Sequence, residues 1–210
     1  MATFTNGILG GFSGKVGNVV GGKWKGIDYM RSRSGKRTNG SSPAQLAQQA
    51  KFKLAMQFLQ PFTGLLNLTF RDYAVEMTGT NNAMRYLLNN AIDGSYPDLS
   101  INYQNVLVSR GDLPNGGTPA ATAAATTVTF TWQDNSGTGK AQASDQAILV
   151  AYCADLKQVE WTLNTAQRGS ETGALALAGF AGMEVQTWIG FLSADGRRIA
   201  SSKYTGAFTL

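Results

Sequence analysis

TVTFTWQDNSGTGKAQASDQAILVAYCADLKQVEWTL, residues 127–163, is the stretch whose pattern decides the fold. Apolar side chains recur at every second position: Val128, Phe130 and Trp132, then Ile148, Val150 and Tyr152, then Val159, Trp161 and Leu163. A period of two belongs to strands that bury one face. The Asp, Asn, Ser and Gly residues between the sets supply turns. Toward the C-terminus, Leu175 and Leu177 form a short set, and Val185, Thr187, Ile189 and Phe191 the longest. Asp195-Gly196 predicts a hairpin into a last strand from about Arg198 to Tyr204. In the other direction, Ile101, Tyr103, Val106 and Val108 predict a strand, and residues 111–126 read as a low-complexity loop insertion. Strands spaced about 10–15 residues apart, with turn signals between them, predict an antiparallel β-sandwich over residues 100–210.

Before residue 100 the period changes. Ser42-Pro43-Ala44-Gln45 predicts a helix start, with a Ser cap and Pro in the first turn. Leu46, Ala50, Leu54 and Phe58 then share a face up to Pro61, which limits the helix. Phe62–Phe70 predicts a short helix, and Met84, Leu87, Leu88 and Ala91 place a third between Asn81 and Ile92. Further upstream, Val16 to Trp24 and Ile27 to Arg33 predict a hairpin turning at Lys25-Gly26, where glycine supplies a positive φ. On its second strand Ile27, Tyr29 and Arg31 share one face, and Asp28, Met30 and Ser32 the other. Gly17, Gly21 and Gly22 mark bulges or a place where another backbone approaches closely. The domains expected are a basic, glycine-rich hairpin arm plus helical segment over 1–99 and a β-sandwich over 100–210.

Of 210 residues only 15% are charged, and the net charge is +5. There is no histidine and one cysteine, Cys153. An imidazole base, a Ser-His-Asp or Cys-His nucleophile, a His metal ligand, an intrachain disulfide and a Cys-rich zinc site are therefore excluded. Cys153 reads as a small apolar strand residue. The opening residues carry no basic, apolar leader pattern, and no apolar run approaches the roughly 20 residues of a membrane helix. The expected setting is the cytoplasm or an assembled particle.

The charge is unevenly spread. Residues 1–60 hold nine Lys/Arg and one acid, Asp28, whereas residues 61–210 hold nine Lys/Arg and twelve acids. Lys15, Lys23, Lys25, Arg31, Arg33, Lys36 and Arg37 lie within 23 residues, with Trp24 and Tyr29 among them. Such a run neutralises phosphates and stacks on bases, docks on an acidic protein surface, or keeps a glycine-rich arm in solution. These nine residues are the candidate binding site.

Other motifs carry less. GGFSGKVG lacks the first glycine of a P-loop, and Val16 stands where a P-loop needs Ser or Thr. Asp72 and Glu76 are four apart, as an acid/base pair or a solvated helix face. Asp134, Asn135 and Asp145 flank a loop, as weak calcium ligands or turn caps. No catalytic residue, cofactor or metal is expected, and an enzyme is the least favoured class.

Two resemblances add to this reading. Trp132, Tyr152, Leu175, Leu177 and the segment SADGRRIASSKY (193–204) resemble a fibronectin type III or immunoglobulin-like domain. The expected class is thus α+β, an N-terminal basic β-hairpin and short helices followed by an Ig/fibronectin-III-like antiparallel β-sandwich. GILGGFSGKVGNVVGGKWKGIDYMRSR (7–33), followed by QLAQQAKF (45–52), resembles an uncharacterised family from Bacteroidota that opens with GSFSGKVGxVVGxxWKGxxYMRS. That resemblance implies one recurring unit and brings no catalytic residues with it.

Three functions remain. A structural protein that self-associates, such as a phage-like particle or fibre subunit, fits the low charge, the glycine-rich arm and the apolar tail TGAFTL (205–210), either end of which could add to a sheet edge of another copy. A nucleic-acid-binding protein fits the basic hairpin. A carbohydrate- or protein-binding module fits Trp161 or Trp188, if exposed.

Overall fold

The computed structural model describes every residue except 1, 5, 6, 8, 9, 36–39 and 72–76. Its contacts divide the chain into two compact units, Met1–Ser42 and Pro43–Leu210. The sequence pattern draws its boundary at 99/100 instead, where the hydrophobic period changes.

The first unit is an antiparallel sheet in the order β1 (Thr3–Phe4), β2 (Phe12–Val16), β3 (Val19–Trp24), β4 (Ile27–Ser32). The expected hairpin is β3–β4. Its first strand was expected to begin near Val16, but Val16 ends β2. Gly17, at φ 57°, turns the chain there with Asn18, so that Val16 pairs with Val19.

The second unit begins with α1 (Pro43–Leu59), α2 (Thr63–Thr69) and α3 (Gly79–Asn90), close to the three helices expected. The Thr78 hydroxyl caps α3 by accepting the Asn81 N–H at 3.2 Å. Of the face expected on α1, Phe58 is buried, Ala50 and Leu54 are half-buried and Leu46 is exposed; the buried face lies instead through Ala55, Phe58 and Leu59. A small hairpin follows, β5 (Ile92–Ser95) and β6 (Asp98–Ile101).

The strand expected over Ile101–Val108 is not formed. Residues 106–110 are held by scattered backbone and side-chain bonds instead, with the Arg110 N–H donating to the Thr69 carbonyl (3.2 Å) and the Ser109 carbonyl accepting the Ser202 N–H (3.0 Å). Thr69 donates its hydroxyl to the Val108 carbonyl (2.7 Å), Ser202 accepts the Val108 N–H (2.9 Å), and Ser109 donates to the Ala200 carbonyl (2.8 Å). Val106 and Val108 are buried there without a strand partner among the named strands.

Seven strands follow: β7 (Gly117–Ala124), β8 (Thr127–Gln133), β9 (Gln146–Cys153), β10 (Gln158–Thr162), β11 (Thr172–Ala176), β12 (Glu184–Leu192) and β13 (Lys203–Thr209). They form two antiparallel sheets, β11-β8-β7 and β10-β9-β12-β13, and the chain changes sheet between β8 and β9, β10 and β11, and β11 and β12. The class is the α+β expected, with an Ig/fibronectin-III-like β region. Two of its elements correct the sequence reading. The loop insertion at 111–126 contains β7, whose Ala121 and Ala123 pair with Phe130 and Val128. The last strand starts at Lys203, not Arg198, and takes in the tail TGAFTL, which already pairs with β12 along one side.

Strand β9 explains the layering. Ala147, Leu149, Ala151 and Cys153 meet Phe130, Trp132, Val185, Ile189 and Phe191 between the sheets. Ile148, Val150 and Tyr152 meet Phe58, Phe62, Leu65, Leu66 and Trp188 on the helical side. Both faces are buried, so helices, four-stranded sheet and three-stranded sheet stack as three layers. Burying each such Leu or Phe contributes roughly 1.5–3 kcal/mol. Cys153 is the buried strand residue expected.

Asp134, Asn135 and Asp145 do not form a cation-ready loop; two of them hold an arginine. Arg168 is fully buried and donates from Nε to Asp145 (3.1 Å), from Nη1 to Asn135 Oδ1 (2.6 Å) and from Nη2 to the Pro114 carbonyl (2.8 Å). Its guanidinium also lies 4.2 Å from the Phe191 ring centroid. A buried charge needs this degree of pairing to be tolerated. Asp134 is turned to Ser136.

Candidate interaction surface

The β3–β4 hairpin owes its geometry to one turn. Lys25 (φ 47°) and Gly26 (φ 89°) both take positive φ, the conformation of a type I′ hairpin whose twist matches its strands. This fixes the register: Trp24 opposite Ile27, Lys23 opposite Asp28, Gly22 opposite Tyr29, Gly21 opposite Met30 and Val20 opposite Arg31. Lys15 pairs with Val20 on the next strand. Residues that pair share a face.

One face therefore carries Lys15, Val20, Gly22, Trp24, Ile27, Tyr29 and Arg31. The other carries Phe12, Val16, Val19, Lys23, Asp28 and Met30, with Phe4 packed on Phe12 at 5.4 Å between ring centroids. A Cβ on Gly22 would stand 2.9 Å from the Tyr29 hydroxyl, so the bare strand there is what lets Tyr29 lie across it. Of the two readings for these glycines, the close approach of another backbone is observed at Gly21, where a Cβ would run into the Phe12 carbonyl oxygen, while at Gly22 it is the Tyr29 side chain that comes close.

The nine candidate residues are thereby sorted. Lys15, Trp24, Tyr29 and Arg31 come together. Lys23 lies on the opposite face, across from an acid. Lys25 occupies the turn, and Arg33 follows β4 with its N–H bonded to the Asn18 carbonyl at 2.8 Å. Lys36 and Arg37 lie outside the described residues, as do Asp72 and Glu76. Sequence reasoning missed Ile27 and Met30 as surface residues, although they are 71% and 72% exposed. Trp24 and Tyr29 are 60% and 46% exposed. The signal that finds them is the turn: once Lys25-Gly26 sets the register, neither face of this thin sheet has a layer of its own to cover it.

Of the two tryptophans considered as ligand platforms, Trp188 is buried and donates to the Tyr103 carbonyl at 3.3 Å, which removes it. Trp161 stands on edge strand β10, 38% exposed. The GGFSGKVG segment enters β2 of an antiparallel sheet and does not form the strand-loop-helix of a phosphate cradle. Among the described residues no group of three or more His, Cys, Asp or Glu side chains is placed to hold a metal. No helix among them is long and apolar enough to cross a membrane.

A family model described as a family of unknown function (DUF6266) matches residues 11–206. The chain belongs to that family. The DUF6266 match opens one residue before β2 and closes inside β13, so it takes in nearly all of the second unit and the first from β2 onward. No curated protein matches the chain.

Proposed function

We propose that this DUF6266 protein is a non-enzymatic structural protein that associates with further copies of itself through its N-terminal unit, as a particle or fibre subunit. One observation carries the reading. Of the thirteen exposed large hydrophobic residues among the described residues, seven, Phe4, Val16, Val19, Trp24, Ile27, Tyr29 and Met30, crowd into the first 42 positions. Small sheets need a covered apolar face for stability, and exposed apolar area on this scale marks interaction surface. Size-exclusion chromatography with light scattering, over a concentration series, tests it. The full chain is expected to associate, and a variant carrying both Ile27→Asp and Met30→Asp to run as a monomer. A full chain that is monomeric at every concentration overturns the reading.

A second reading, nucleic-acid binding, is favoured by the shared face of Lys15, Trp24, Tyr29 and Arg31, where cations flank stacking surfaces. It requires affinity that falls steeply with salt. Replacing Lys15 and Arg31 by Ala then flattens the salt dependence by about two phosphate contacts, and replacing Lys23, on the other face, leaves it unchanged.

A further inference from the structure

Strand β4 is an edge of the N-terminal sheet. Its hydrogen-bonding phase follows from one bond, the Arg33 N–H on the Asn18 carbonyl. In an antiparallel ladder every second residue turns its N–H and C=O to the same neighbour. Arg33 turns toward β3, and so do Arg31, Tyr29 and Ile27, opposite Val20, Gly22 and Trp24. Asp28, Met30 and Ser32 therefore turn their N–H and C=O away from β3. Among the described residues no second strand pairs with β4, and all six of its residues are exposed. Edge strands are usually blunted by a proline, a lysine or a bulge. IDYMRS holds neither Pro nor Lys, and its register against β3 runs unbroken from Ile27 to Ser32. The opposite edge, β1, spans only two residues.

An open edge of this kind takes another strand, and IDYMRS is complementary to itself. A two-fold axis standing upright on the sheet keeps every side chain on its own face. A residue can then pair only with itself or with one an even number of places away. Centred on Met30, such an axis sets Asp28 opposite Ser32 and Met30 opposite Met30, so every outward-turned residue meets an outward-turned partner. Centred on Tyr29, it sends Ser32 to Gly26, which φ 89° takes out of the strand. Centred on Arg31, it sends Asp28 past the end of β4 and sets one Arg31 directly against the other, a like-charge pair that destabilises a sheet. Residues 1–42 already carry seven Lys/Arg against Asp28 alone, so two units meet most favourably where cations do not face each other. The Met30 register does this. It sets Tyr29 opposite Arg31 of the second copy at a position without backbone bonds, where side chains stand closest and a guanidinium can lie on a phenol ring.

We propose that two copies join antiparallel along β4, with Met30 opposite Met30, Tyr29 opposite Arg31 and Asp28 opposite Ser32, which doubles the four-stranded sheet. The inference rests on the self-association reading above and names its contact. Such a contact is isologous, since the same strand serves on both sides, and it closes at two copies. The unit that enters a particle or fibre is then a dimer. Met30, left bare in the single copy, meets its twin on one face, while the Tyr29–Arg31 contact is made twice on the other.

Cysteine cross-linking of the full chain tests it, with the native Cys153 buried and out of reach. Met30→Cys is expected to give a disulfide-linked dimer on mild oxidation, because a hydrogen-bonded pair holds its Cα atoms about 5.5 Å apart. Tyr29→Cys and Arg31→Cys are expected to link at least about tenfold faster when mixed than either does alone, because each faces the other residue and not its twin. Met30→Pro removes only an N–H turned away from β3, which an edge strand tolerates. It is expected to weaken association at least about tenfold by sedimentation, with the circular dichroism spectrum unchanged. A Met30→Cys protein that associates and does not cross-link overturns the β4 pairing and leaves self-association standing. So does a mixture that links no faster than its components, or a Met30→Pro protein that associates as the wild type does. A wild type that is monomeric at every concentration overturns both.

Discussion

Arg168 shows how much a single side chain carries in the second unit. Its guanidinium joins Asp145, Asn135 and the Pro114 carbonyl, and its own carbonyl accepts the Trp132 indole N–H at 2.7 Å, so loops from both sheets meet on one residue. Removing the cation leaves Asp145 buried and uncompensated. Arg168→Ala is therefore expected to lower stability by about 3–5 kcal/mol, read as a shift in the urea unfolding midpoint with unchanged slope. Tyr152 makes a prediction at alkaline pH. Burial, and then the neighbouring Tyr103 and Cys153, push its phenol up to about 12 from an ordinary value of about 10. The folded state then keeps a proton that the unfolded state releases, so stability is fully present below about pH 10 and is lost as pH rises through 12. Ultraviolet titration of phenolate should show a late-ionising group that disappears in Tyr152→Phe. The sequence shows neither effect. Arg168 stands in TAQRGSE with nothing around it to announce burial, and its partners lie 23 to 54 positions away.

At the scale of the element, the register of the β3–β4 hairpin is set at the Lys25-Gly26 turn. Gly26→Ala puts a Cβ at φ 89°, where it is strained. Amide exchange through β3 and β4 is expected to quicken, while the unfolding midpoint of the second unit stays in place. Elements were legible where large and small polarity alternate, as in β8 and β12, or where a turn dipeptide is explicit, as at Gly26. Strand β7 was not, because Ala and Thr differ too little in hydropathy to show a period. The segment after Ile101 misled in the opposite sense: Val106 and Val108 alternate as a strand does, but isolated bonds to Tyr103, Thr69 and Ser202, from backbone and side chain alike, occupy the hydrogen-bonding groups a neighbouring strand would use. The candidate surface was legible as a list of cations and aromatics. Its division into two faces needed the register across β2, β3 and β4, which only the turns determine.

At the scale of the whole molecule, both hydrophobic cores draw on residues from Ala55 onward, with none from the first unit among the described residues. A chain that begins at Pro43 is expected to melt within about 2–4 °C of the full chain by calorimetry, the shift of roughly one kcal/mol in a domain of this size. The same truncation takes the net charge from +5 to −1, so retention on a cation exchanger at pH 7 should be lost. Strand β9, apolar on both sides, bears on how the second unit finds its fold. In an ordinary half-buried strand, a slip of one position drags polar groups inward and is rejected by water. Here polarity cannot act as proofreader, because either face of ILVAYC is oily. What tells right from wrong is bulk: the helical side takes Ile148, Val150 and Tyr152, while the inter-sheet side takes Ala147, Leu149, Ala151 and Cys153. A shifted strand would press a phenol ring into a space shaped for a methyl group, so alignment in the middle of this protein is written in volume.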